Sequence, residues 1–80
     1  MTQIKFYYNQ ENKDLFAVFP KDYFRGIFGN ILYSCYSYVG EHSTCDKEYI
    51  MESRPAQREE YTPLLNDMIR HGYSDIEVLM

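Results

Sequence analysis

Tryptophan is absent from this sequence of 80 residues, and cysteine, proline and glycine are scarce, at two, three and four. Two cysteines, Cys35 and Cys45, are too few for a disulfide scaffold. With no leader in view, they read as two free thiols in a reducing cytoplasm. No run of basic residues exists, so a nucleic-acid partner held through its phosphates is not expected. No segment approaches the roughly 18–20 apolar residues of a membrane span. The opening Met1-Thr2-Gln3-Ile4-Lys5-Phe6 also lacks a charged leader followed by an apolar stretch, so no membrane and no secretory route is expected. Neither a G-x-G-x-x-G nor a Walker pattern appears. There is no repeat, linker or low-complexity tract, and the length allows one domain, residues 1–80.

What the chain has instead is aromatic: nine Tyr and five Phe. A ring buries on the order of 150–250 Å², so fourteen exceed what one small core can hold. Some must lie at the surface, where Tyr is favoured in contacts. The net charge of −4 is uneven. Residues 1–40 carry four Lys/Arg against three Asp/Glu, and residues 41–80 carry four against nine. An acidic half of this kind is a solvated face or one that meets a basic partner.

Ile4, Phe6 and Tyr8 alternate with Lys5 and Tyr7, the pattern of a strand with one buried face. The polar stretch from Asn9 to Asp14 is a turn, and Leu15 to Phe19 is a continuous apolar run stopped by Pro20. That run predicts a central strand covered on both faces and paired with the first as a hairpin. Lys21 to Asn30 reads as a loop punctuated by Gly26 and Gly29. It carries Tyr23, Phe24, Ile27 and Phe28, which must tuck over the core or be offered to a partner. A third strand runs from Ile31 to Val39 and ends at Gly40. Asp46 can cap a short helical turn over Lys47–Tyr49, and Ile50 to Arg54 reads as a fourth, weaker strand because Pro55 disfavours helix at Arg54.

Tyr61, Leu64, Leu65, Met68 and Ile69 form one apolar stripe of an amphipathic helix. Gly72 stands where a helix ends, and Pro63 places the regular helix from Thr62 onward. Tyr73 to Met80 alternates again and predicts a terminal strand. The expected fold is α+β, a small antiparallel sheet of about four to five strands with one amphipathic helix packed on one face.

Four chemistries are conceivable. Cys35, His42 and Cys45, with His71 as a fourth ligand, could hold zinc, although the spacing lacks two close pairs. His42 could serve Cys45 as a base, but no orienting group or oxyanion donor is readable. A small anionic, nucleotide-like ligand could stack on Tyr33, Tyr36 or Tyr38 with Arg54 or Arg58 as its clamp, near the Gly40-Glu41-His42 turn. Finally, the surplus rings could bind a protein or a second copy. The composition favours this last reading, with Tyr23, Phe24, Phe28, Tyr33, Tyr36, Tyr38, His42, Arg54 and Arg58 as the candidate surface. No catalytic residue, metal or cofactor is expected.

Several landmarks carry a resemblance: Ala17-Val18-Phe19-Pro20, Cys35-Tyr36-Ser37-Tyr38-Val39-Gly40-Glu41-His42, Arg54-Pro55-Ala56, Glu59 to Leu65, and Gly72-Tyr73. In this order they resemble a group of small proteins encoded on bacteriophages and mobile elements, notably of Bacteroidetes. This chain has Tyr38 and Glu41 where those relatives tend to have His and Gln. The resemblance implies a non-catalytic accessory factor of a mobile element that binds a host defence or regulatory protein or, alternatively, sequesters a small signalling molecule.

Overall fold

The computed structural model describes residues 1–37 and 41–79. In chain order these form β1 (Thr2–Asn9), β2 (Asp14–Arg25), β3 (Ile31–Ser37), β4 (Glu41–Asp46), α1 (Lys47–Glu52), β5 (Arg54–Pro55), α2 (Arg58–Arg70) and β6 (Ile76–Leu79). The sheet order is β4-β3-β2-β1-β5, with β6 also on β1. The first four strands are an antiparallel meander. β6 joins parallel to residues Thr2–Lys5 of β1, and β5 pairs antiparallel with Tyr7 and Tyr8. The fold is α+β, as expected, with the parallel β6 as its departure from a purely antiparallel sheet.

The run Phe16-Ala17-Val18 becomes the middle of the sheet, and all three residues are buried. Alternation sends Ala17 to one face with Ile4, Phe6, Tyr36, Leu64 and Met68, the face that α2 covers. Phe16 and Val18 go to the other with Cys35, where Tyr49 and Ile50 of α1 close over them. Burial on both sides is why this segment lacks polar alternation.

The first helix begins where the sequence pattern places it and runs on further, and the second begins earlier. Asp46 caps α1, its carboxylate accepting from the Tyr49 N–H at 2.8 Å. With no breaker before Pro55 the turn runs on to Glu52, so the strand expected over Ile50–Arg54 is replaced by helix and only Arg54–Pro55 is extended. α2 starts at Arg58 rather than Thr62. Gln57 and Glu60 form a reciprocal capping box, with Glu60 accepting from the Gln57 N–H at 2.8 Å. Pro63 therefore lies inside the helix and cannot donate to the Glu59 carbonyl. Gly72 takes φ +101° just past the end, where a side chain would be strained.

Two further expectations fail. Glu41 and His42 were expected in a turn, yet they open an edge strand that runs on to Asp46, and an edge with a wet face needs no apolar alternation. Cys35 and Cys45 are not free thiols but a disulfide, with a Cα–Cα distance of 6.4 Å. Cys35 pairs with Ser43 and Tyr33 with Cys45, so the two cysteines are diagonal neighbours on one face of the β3–β4 ladder.

Candidate functional site: an aromatic arm and the groove beside it

Lys21–Asn30 was expected to be a loop, yet β2 continues through it to Arg25. Proline has no N–H for the ladder, and the register breaks where Pro20 stands. Phe19 opposes Ser34 and Tyr23 opposes Tyr33, so Pro20, Lys21 and Asp22 bulge out unpaired. Beyond the bulge pairing resumes, with Tyr23, Phe24 and Arg25 opposite Tyr33, Leu32 and Ile31. The result is a short two-stranded arm.

Its tip is tightly closed. The Gly26 N–H donates to the Asn30 carbonyl at 2.7 Å, and the Gly29 N–H to the Gly26 carbonyl at 3.0 Å. Gly29 has φ +84°, and a Cβ on Gly26 would lie 2.7 Å from Asn30 Oδ1. Gly29 is thus required by the turn, whereas a side chain on Gly26 would have only to displace the Asn30 amide. Between them Ile27 and Phe28 are 95 % and 90 % exposed. Tyr23 and Phe24 along the arm are exposed too, Tyr23 leaning on Tyr33 with ring centroids 5.8 Å apart.

The arm is one wall of a groove whose other wall is α1. An inner hollow of about 270 Å³ is lined by Tyr7, Val18, Pro20, Tyr33 and Ile50. An outer hollow of about 480 Å³ runs beside Gly29, Asn30 and Ile31. Lys47 and Met51 border both hollows.

The remaining candidates lie elsewhere. Tyr36 is not on the surface but fully buried under α2, with its hydroxyl donating to Asp67 Oδ2 at 3.0 Å, because it points to the face that α2 covers. His42 lies against it edge-on at 5.1 Å and within 3.1 Å of the Tyr73 hydroxyl. Burial raises the pKa of Tyr73. Tyr38 lies outside the described residues. Arg54 forms a bidentate ion pair with Glu60 at 2.7 and 2.6 Å and packs over the Tyr8 ring. The Arg54 guanidinium and the Gln57 N–H hold the Glu60 carboxyl down at about 2. Arg58 borders a separate cleft of about 540 Å³ with Phe6 and Tyr61.

These placements take apart two of the chemistries and remove one clamp from a third. Arg54 is three strand spacings, roughly 14 Å, from β3, so it does not clamp an anion stacked on Tyr33 or Tyr36. Cys35 and Cys45 are bonded to each other on the α1 face while His42 faces the α2 side. Neither the zinc set with His71 nor the Cys45–His42 couple is assembled. Among the described residues no group of three or more His, Cys, Asp or Glu is placed to hold a metal ion. No helix among them is long and apolar enough to cross a membrane.

The sequence drew attention to Tyr23, Phe24, Ile27 and Phe28, although Ile27 was left out of the candidate surface, and it missed Met51 altogether. Ile27 was visible as the other half of a Gly-bounded apolar pair. Met51 was hidden because its role depends on where α1 docks. No protein-family model, curated protein or solved structure matches the chain. What the geometry defines is a small α+β domain with an exposed aromatic arm.

Proposed function

We propose that the protein is a non-catalytic binding protein that works through protein–protein contacts made by the arm of Tyr23, Phe24, Ile27 and Phe28. The observation that carries this reading is the near-complete exposure of Ile27 and Phe28 in a tight turn that needs Gly29. Large apolar side chains grouped at a rigid tip suit the buried centre of an interface better than they suit water. A hairpin tip also presents them with little ordering cost, since the ladder and the turn already fix the backbone. The resemblance to proteins of bacteriophages and mobile elements supports a host defence or regulatory factor as the target, with inhibition as the outcome.

The test is affinity capture from host lysate with the wild-type chain and with the I27D/F28D variant. A stoichiometric protein retained by wild type and lost from the variant is the expected result. Both positions are exposed, so the variant should keep the wild-type melting profile. Equal retention by the two chains would count against the arm as the contact.

A further inference from the structure

We infer that the inner hollow binds a small ring compound bearing a phosphate monoester, about the size of a single nucleotide. The charge of its lining runs against that of the chain. The net charge is −4, yet Lys5 and Lys47 both line this hollow and no Asp or Glu among the described residues does. Lys47 stands between Asp46 and Glu48 in sequence, but the Asp46 carboxylate accepts from the Tyr49 N–H, and Glu48 borders the outer hollow. Among the described residues neither lysine forms an ion pair. Lys5 instead rests over the Tyr7 ring, its Nζ 5.4 Å from the centroid, which holds the ammonium at the wall.

Two uncompensated cations on one small hollow repel each other, and an anion set between them removes that cost. A phosphate monoester carries about −1.5 to −2 at neutral pH, which matches two lysines better than the single charge of a carboxylate does. Lysine is a well-suited point-charge partner for it.

The uncharged lining selects the rest of the ligand. Val18 is 3 % exposed, pairs with Lys5 across the ladder and gives an apolar floor. Tyr7 on β1 and Tyr33 on β3 stand on either side of it, their strands roughly 10 Å apart, and Ile50 of α1 adds a further wall. Both tyrosines are half-buried and held by other rings, Tyr7 by Phe16 and Tyr33 by Tyr23, each pair with centroids 5.8 Å apart. Rings fixed in this way stack a flat molecule with little further ordering. The volume of about 270 Å³ is just below the roughly 300–1,000 Å³ common for ligand pockets, so the hollow suits one ring system and not a dinucleotide. None of Tyr23, Phe24, Ile27 and Phe28 lines it, so the site is separate from the contacts proposed for the arm.

NMR titration of the methyl-labelled whole chain with the four 5′-nucleoside monophosphates and phenyl phosphate tests the site. At least one probe should bind saturably and shift the Val18 and Ile50 methyls. The same ring without its phosphate, and inorganic phosphate alone, should each bind at least about tenfold more weakly. Lys47→Gln, at an exposed position, should weaken binding about tenfold. Arg58→Gln removes the same charge from the separate cleft and should leave binding unchanged. Four results would each overturn the inference: no saturable binding by any probe, equal binding without the phosphate, equal losses in the two variants, or shifts confined to residues outside the hollow. A hollow that ignores every probe, yet shifts its methyls when the protein captured through the arm is added, belongs to the protein interface and overturns it too. I27D/F28D should bind the probe as wild type does, so a failure here leaves the reading of the arm standing.

Discussion

Reducing the Cys35–Cys45 bond should lower the melting temperature by about 10–20 °C. The link ties residues ten apart in sequence. In the chain-entropy treatment a closed loop of that length limits the unfolded ensemble by about 2.7 kcal/mol at 25 °C. A domain of this size shifts by roughly 4–8 °C for each kcal/mol. Reduction with a phosphine is cleaner than substitution, because both sulfurs stay and no cavity opens beside buried Cys35. Thermal melts followed by circular dichroism, with and without reductant, give the shift, and alkylation followed by mass spectrometry counts the thiols. Hydrogen exchange should show where the loss falls. β4 is held on one side only, through β3, so its amides should gain most. A melt unchanged within about 3 °C in a sample bearing two alkylated cysteines would refute the reasoning. The β3–β4 hairpin would then already be closed in the unfolded chain.

Two more outcomes follow from the ion pair and the core. The Glu60 carboxyl, held at about 2 against an ordinary 4.5, is charged more readily in the fold than in the unfolded chain. Its contribution is therefore complete above pH 4.5 and lost as pH falls through 2, so stability should decline over that window. A carbon-detected titration of Glu60 should have its midpoint near 2, rising toward the ordinary value in Arg54→Ala; a wild-type midpoint near 4.5 would contradict the pairing. Met68→Ala should cost about 2–5 kcal/mol in urea unfolding, since Met68 is fully buried under the sheet. Ile69→Ala next to it should stay within about 0.5–1 kcal/mol because that side chain is more than half exposed; equal losses would mean that α2 is rotated from this placement.

Legibility followed burial. Phe16-Ala17-Val18 announced a two-sided strand because nothing polar can sit there, and Leu64 and Met68 announced a helix because their spacing matches one face. The stripe overran by one residue at Ile69, on the shoulder of the contact. Segments stabilised by pairing or caps were harder to read. The Glu41–Asp46 strand carries no apolar signal, since its place comes from hydrogen bonds to β3. The start of α2 lay in a Gln57–Glu60 exchange that composition does not distinguish from ordinary polar surface. Half of the candidate site was readable in the Gly-bounded aromatics. The groove was not, because it is made by the distance between α1 and the arm. The disulfide depended on register: one residue of slip between β3 and β4 would put the sulfurs on opposite faces.

The parallel pairing of β6 with β1 sets the order in which the molecule can be completed. Thr2 meets Ile76 and Lys5 meets Leu79, contacts spanning nearly the whole sequence, whereas the meander from β1 to β4 needs only short turns. Local closures are fast and long ones are slower. During synthesis the four-strand meander can assemble as it emerges, while half of the outer edge of β1 waits for the last strand to be made. Until then that stretch of backbone is an open template for any neighbouring chain. Slowing translation near residue 75 would lengthen this exposed interval, and a chaperone that shields extended segments would shorten its consequences.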